Sequence, residues 1–154
     1  MRKVIVLVRT KSDTRPTKDV EALEQFAQAA MTRALPLAHL HLQRLDAATL
    51  SLREQVRTFS RCLLLVGDHG AGLSNAVFMP PGSAVVELTH AACGAHCGDY
   101  FRPVAELSGL THRRFSGDNL TVRDPSFDDM LDQTIKAALR DTRVATNTGS
   151  REEL

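Results

Sequence analysis

Apolar residues fall along the chain in five short runs, separated by stretches with helical periodicity or glycine-rich turns. Lys3 to Arg9 and Cys62 to Val66 are almost wholly apolar inside, and Ala84 to Leu88 is interrupted only by Glu87. Such runs, bounded by glycine or polar residues, predict strands buried on both faces, the kind found in parallel sheets. Leu37 to Leu42 alternates instead. His39 and His41 share one face, opposite Ala38, Leu40 and Leu42, which predicts a strand with a half-polar face rather than a metal site. Leu110 to Phe115 is the fifth strand.

Between the runs, Lys18 to Arg33 places Val20, Leu23, Phe26, Ala27, Ala30 and Met31 on one helical face, with Thr17 as cap and Pro36 as stop. Leu50 to Arg61 predicts a second helix with Leu52, Val56 and Phe59 inward. Leu73 to Phe78 predicts a short helix ended by Pro80 and Pro81. Tyr100 to Gly109 follows, then Ser126 to Arg140. The latter carries Asp128 and Asp129 early and Lys136 and Arg140 late, as the helix dipole favours. From Thr142 the chain turns polar, predicting an ordered domain over 1–141 and a disordered tail over 142–154.

Strands alternating with helices predict an α/β, Rossmann-like parallel sheet with helices on both faces. In open sheets of this class ligands bind beyond the carboxyl ends of the strands. Arg9 ends the first strand and Arg15 lies in the loop after it, where each meets either a phosphate or solvent. After the third strand come Gly67, Gly70 and Gly72, which permit a tight turn and close backbone approach. The helix start behind them aims N–H groups of Gly70, Ala71, Gly72 and Leu73 at a crevice suited to a diphosphate. His69 sits inside this turn, able to donate to phosphate or exchange a proton. The glycine spacing is not the dinucleotide fingerprint and carries no Walker lysine, so a ligand-free tight connection is the plain alternative. Gln55 offers a donor and an acceptor to a sugar or base, or else solvates its helix. Glu87, at the carboxyl end of its strand, is placed to accept from a ribose diol, with an exposed glutamate as the bland reading.

Composition narrows this picture. At 154 residues the chain is one domain, of a size that buries about 68–70% of its unfolded surface. Its 43% hydrophobic and 24% charged residues suit a soluble globular protein, and a net charge of +1 argues against a nucleic-acid surface. No run approaches the roughly 18 apolar residues of a membrane span, and the strand-like residues that follow Met1 at once predict no secretory signal. Three cysteines do not make a disulfide scaffold. Cys62 reads as a small core residue. His90, Cys93, His96 and Cys97 match no common zinc knuckle, so Cys93 and Cys97 read as free loop residues, or as a local disulfide in an oxidising compartment.

The string His69-Gly70-Ala71-Gly72-Leu73-Ser74-Asn75, followed by Phe78-Met79-Pro80-Pro81-Gly82-Ser83 and Val85-Val86-Glu87-Leu88, resembles the signature of glycosyltransferase family 61. The resemblance runs from about Val4 to Phe115. Glu54-Gln55 matches the family's Glu-Gln pair before the signature strand, whereas Lys18-Asp19 stands where the family carries Asn-Glu. The resemblance implies the C-terminal, donor-binding half of a two-domain, B-type enzyme that transfers a sugar from a nucleotide sugar, such as UDP-GlcNAc or UDP-xylose, to a protein or glycan hydroxyl. It implies inversion and no metal cofactor. The donor site would then comprise Arg9, Arg15, Gln55, His69, Gly70, Ala71, Gly72, Leu73, Asn75 and Glu87, with His69 catalytic. An N-terminal acceptor half would be missing from the chain.

Two other readings compete. A non-catalytic nucleotide-sugar-binding module, or a truncated remnant, would keep the fold and lose turnover. A response-regulator-like domain fits poorly, because the first strand ends in Arg9 rather than an acidic cluster. The chain's final Arg151-Glu152-Glu153-Leu154 resembles an endoplasmic-reticulum retrieval signal, so the parent enzyme is expected in the endoplasmic reticulum lumen or Golgi, with a bacterial cytoplasmic relative as the alternative.

Overall fold

A computed structural model describes residues 2–9, 20–34, 39–90, 97–116 and 125–149, the side chains of 143–149 excepted. Among these residues, five strands form one sheet: β1 (Arg2–Leu7), β2 (Leu40–Leu45), β3 (Cys62–Asp68), β4 (Ala84–Thr89) and β5 (Thr111–Ser116). All are parallel, in the order β2-β1-β3-β4-β5. Four α-helices accompany them: α1 (Val20–Ala34), α2 (Leu52–Phe59), α3 (Phe101–Leu107) and α4 (Pro125–Gly149). Two 3-10 segments, Ala47–Thr49 and Ala71–Phe78, complete the order.

The strand residues alternate between two cores, as their period of two requires. Val4, Val6, Leu64, Val66 and Val86 pack against α1 and α4 on one face. Ile5, Leu7, Leu65 and Val85 pack on the other face against Phe59 of α2, Leu73 and Ala76 of the long 3-10 segment, and Phe101 and Ala105 of α3. Helices therefore cover both faces, and the α/β Rossmann-like class is the one observed. Between α1 and α4, Phe26 meets Phe127 edge-on at 5.2 Å, and Arg33 bridges Asp128 at 2.7 Å and Asp132 at 3.2 Å.

Three boundaries differ from expectation for physical reasons. β2 lies three residues later than its apolar alternation suggested. It is an edge strand, so Gln43 and Arg44 continue it at little desolvation cost while their backbones pair with Ile5 and Val6. α2 buries only Phe59; Leu52 and Val56 are 67% and 41% exposed rather than inward. This helix begins at Ser51, whose side chain caps Glu54 N–H while the Glu54 carboxylate returns to the Ser51 N–H, a capping box. Finally, α4 does not stop at residue 141 but runs to Gly149. No proline or glycine interrupts it before Gly149, and buried Thr142 donates to the Ala138 carbonyl at 2.7 Å while accepting from Arg2. Residues 150–154, with the terminal tetrapeptide, lie outside the described residues.

Candidate functional site

The strand order reverses between β1 and β3, which opens a crevice beyond their carboxyl ends, the general ligand position of open α/β sheets. A cleft of about 200 Å³ lies there. Val8 and Arg9 leaving β1, Asp46 to Ala48 after β2, Asp68 ending β3, and Ala71 and Gly72 opening the long 3-10 segment line it. The glycines explain how three strand ends come so close. A Cβ on Gly67 would stand 2.8 Å from the Leu7 Cβ, and one on Gly72 would stand 3.3 Å from Leu7 Cδ1. Gly70 has φ 157° and ψ 177°, and a Cβ there would collide with the Arg9 guanidinium. That guanidinium donates to the His69 carbonyl oxygen, pinning the turn to the end of β1.

Behind Gly70 the chain forms a 3-10 segment rather than an α-helix. The Leu73 N–H is engaged by the Gly70 carbonyl at 2.9 Å, and the Leu73 side chain is sealed in the core. Ala71 and Gly72 precede the first internal bond, so their N–H groups have no partner within the segment. Of the four N–H groups expected to face an anion, Leu73 is thus withdrawn. Asn75 is buried and donates Nδ2 to the Gly72 carbonyl at 3.0 Å, bracing the turn from beneath.

Gln55 is likewise turned inward. Its Nε2 donates to the carbonyls of Ala47 at 3.2 Å and Leu50 at 3.1 Å, tying α2 to the segment that walls the cleft. Both amide protons are committed there, so of the donor and acceptor that Gln55 was expected to offer a sugar or base only the Oε1 acceptor remains. Arg15 lies outside the described residues.

The His69 side chain points away from the cleft, toward β4 and β5. Its Nδ1 contacts Glu87 Oε1, and its ring lies 5.1 Å from Phe101 and 6.0 Å from Tyr100, centroid to centroid. Glu87 is fully buried, not exposed. Its Oε2 also accepts from His112 Nε2 at 2.8 Å, and Arg114 Nη2 reaches both oxygens at 3.3 Å. These contacts occupy all four lone-pair positions of a carboxylate. Glu87 therefore holds an internal cluster, and its reading as a ribose acceptor is corrected. Burial pushes the Glu87 carboxyl up, but hydrogen bonds from His112 and His69, with the charge of Arg114, outweigh it and hold the pKa below the usual carboxylate value.

The structure thus divides the expected site in two. Arg9, Ala71 and Gly72 line the cleft; His69 and Glu87 form a cluster on the β4–β5 side; Gln55, Leu73 and Asn75 brace the walls. Sequence reasoning missed Asp46 and Asp68 in the cleft, and His112 and Arg114 in the cluster. Asp68 pairs with His90 Nε2 at 3.0 Å. The signal for the cluster was present: a glutamate inside a buried strand needs cationic or N–H partners, and His112 and Arg114 share one face of the neighbouring strand. Cys97 is disulfide-bonded rather than free, and Cys93 and His96 lie outside the described residues. Cys62 is buried and free, as its apolar run predicts, and burial pushes its thiol pKa up. Among the described residues, no helix is long and apolar enough to cross a membrane.

Solved structures with the same architecture include a diflavin flavoprotein A3 from Nostoc sp., with a TM-score of 0.52 and 13% identity over 96% of this chain and 97% of that one. An oxidoreductase from Corynebacterium diphtheriae aligns with a TM-score of 0.55 and 9% identity over 91% and 96% of the two chains. At these identities the likeness is one of fold alone. In sequence, the chain is 36% identical over 72 residues to protein O-linked-mannose beta-1,4-N-acetylglucosaminyltransferase 2 of Takifugu rubripes. That match covers 44% of this chain and 12% of the relative. The model of the family Glycosyltransferase 61 matches residues 1–86, which carry β1, the glycine turn, the cleft and the strand leading to Glu87. More than half of the chain, including the crevice at the β1–β3 reversal, therefore follows one family pattern, and the chain belongs to glycosyltransferase family 61.

Proposed function

We propose that this chain is the donor-binding part of a glycosyltransferase that uses a uridine diphosphate sugar, UDP-GlcNAc or UDP-xylose, and transfers the sugar with inversion to a protein or glycan hydroxyl. The cleft at the β1–β3 reversal carries this reading. It sets the Arg9 guanidinium beside the Ala71 and Gly72 backbone, at the strand ends where ligands of such sheets bind. A diphosphate leaving group gains negative charge as the sugar departs, and preorganised donors aimed at it lower the barrier. In this proposal Arg9 and the turn supply that stabilisation without a metal. Asp46 and Asp68 give the same cleft carboxylates at strand ends, the chemistry that suits a ribose diol and that Glu87 cannot supply. The name of the Takifugu relative favours UDP-GlcNAc over UDP-xylose.

The acceptor-binding half and the whole enzyme's substrate are further proposals. Expressed alone, the chain should fold and bind donor yet transfer little sugar. A disulfide at Cys97 supports an oxidising compartment, hence the endoplasmic reticulum lumen or Golgi. Calorimetric titration with UDP, UDP-GlcNAc and UDP-xylose, with and without a chelator, tests the central claim. Binding that survives the chelator is expected. Binding lost with the chelator defeats the metal-free mechanism, and no binding to any of the three defeats the donor reading.

A further inference from the structure

Among the described residues, the charged side chains lining the cleft are Arg9, Asp46 and Asp68. Carboxylates and phosphates are both acceptors and repel each other, so a ligand group lying against either aspartate must bring a donor. The two aspartates are not equivalent. Asp46 caps the Ala47–Thr49 segment, its Oδ1 accepting from the Ala48 N–H at 3.0 Å. Asp68 closes β3, and the His69 N–H donates to the Leu88 carbonyl at 2.7 Å, so pairing with β4 runs on past Asp68 and fixes its backbone. The Asp68 side chain is only 9% exposed, and its Oδ1 pairs with His90 Nε2 at 3.0 Å, next to the end of β4. Its Oδ2 has no hydrogen bond among the described residues, yet it is not sealed from solvent. Asp68 is thus held at one oxygen and open at the other, in the wall of the cleft.

We infer that Asp68 is a specificity-determining residue of the donor site: its Oδ2 accepts a hydrogen bond from one ribose hydroxyl, so the cleft prefers ribonucleoside to deoxyribonucleoside diphosphates. The assignment rests on the donor reading above. Because Oδ1 is engaged by His90, the contact is to a single hydroxyl rather than a clamp on the whole diol. The Arg9 guanidinium is tied to the carbonyl of His69, the residue after Asp68, so the phosphate donors and this carboxylate adjoin, as diphosphate and ribose do in a nucleotide. The transferred sugar also adjoins the diphosphate, but it must stay open to an acceptor, whereas Asp68 is almost wholly enclosed. Ribose is therefore the part of the donor that fits this wall.

Calorimetric titration of the chain with UDP, 2′-deoxy-UDP, 3′-deoxy-UDP and inorganic pyrophosphate tests this. One of the two deoxy compounds should bind at least about tenfold more weakly than UDP, the loss expected for a hydrogen bond to a charged acceptor. Asp68→Asn should shrink that ratio below about threefold, because a neutral acceptor holds the hydroxyl less strongly. Its affinity for pyrophosphate, which carries no hydroxyl, should hold or rise, because a repelling charge is gone. A merely structural aspartate would lower pyrophosphate and UDP binding together and leave the ratio alone, and that result overturns the inference. So does a ratio that collapses in Asp46→Asn instead. Should Asp68→Asn not fold, the wild-type series still decides: a tenfold ratio supports the inference, and equal affinity for UDP and both deoxy compounds overturns it while the donor reading stands. A chain that binds none of the four ligands defeats the donor reading, and the inference with it.

Discussion

The Arg9 guanidinium donates to the carbonyl oxygen of His69, so the end of β1 and the turn after β3 are one unit. Gly70 makes this contact possible, because its missing side chain leaves the space that the guanidinium fills. Gly70→Ala should therefore act on stability and ligand together. Its φ of 157° is strained for alanine, and the new Cβ would displace the Arg9 head group. A loss of roughly 1–3 kcal/mol is expected for such a backbone and steric conflict. Urea unfolding measures that loss, and nucleotide titration should register a parallel fall in affinity. An unchanged affinity would detach Arg9 from the binding site.

Glu87 should write itself into the acid limb of the stability curve. Its folded pKa lies below the ordinary value of 4.5, chiefly because partner hydrogen bonds overcome burial. The unfolded chain then binds more protons than the native one in this range. The stabilisation is fully present above the ordinary carboxyl value and is lost as pH falls through the lower folded value. Glu87→Gln should flatten this part of the curve. It should also cost roughly 3 kcal/mol at neutral pH, because Arg114 loses its buried counter-charge and the two imidazoles lose the carboxylate they share. Urea midpoints taken from neutral pH into the acid range check both statements, and a variant with an unaltered acid slope refutes the first.

The layered fold was legible because it rests on periodicity. Val4, Val6, Leu64 and Val66 alternate with Ile5, Leu7 and Leu65 within almost wholly apolar strands, and such strands need cover on both faces. The turn after β3 was legible because glycine at 67, 70 and 72 is a demand for close approach, and Leu7 and Arg9 are what approaches. Side-chain direction was not legible. Asp68 and His69 are neighbours, yet one lines the cleft and the other turns to Glu87. Glu87 looked like a strand-end residue, and only the pairing of β4 with β5 reveals the His112 and Arg114 that bury it. Leu52 and Val56 match a helical core face, but α2 is too short to bring more than Phe59 onto the sheet.

Gln55 provides a direct choice between a ligand contact and an internal tie. Its two hydrogen bonds to Ala47 and Leu50 fasten the wall of the cleft. Each such bond contributes about 0.5–1.5 kcal/mol, so Gln55→Ala should lower stability by about 1–2 kcal/mol. Donor affinity should fall only modestly, through a looser wall. Thermal melting and calorimetry on the same sample separate the two effects. A large affinity loss with unchanged melting temperature would return Gln55 to the ligand.

The end of α4 should matter to stability more than its polar composition suggests. Gly82, with φ 81°, lets the turn before β4 pass α4 so closely that a Cβ there would lie 3.0 Å from the Asp141 carbonyl carbon and the Thr142 nitrogen. Thr142 is buried, bonds back to Ala138 and accepts from Arg2 at the start of β1. A chain ending at Asp141 would remove that hydroxyl, place a carboxylate beside the Gly82 turn and leave the Arg2 guanidinium without this acceptor. Loss of a buried hydrogen bond together with local packing predicts a cost of about 1–3 kcal/mol. Gly82→Ala should destabilise by a similar amount, because alanine is strained at a positive φ and its Cβ meets backbone rather than a movable side chain. The two changes disturb one contact, so combining them should cost less than their sum. Urea midpoints of the two single variants and the double measure this coupling. Truncation after Asp141 that leaves the midpoint unchanged would mean that the end of α4 contributes nothing to stability.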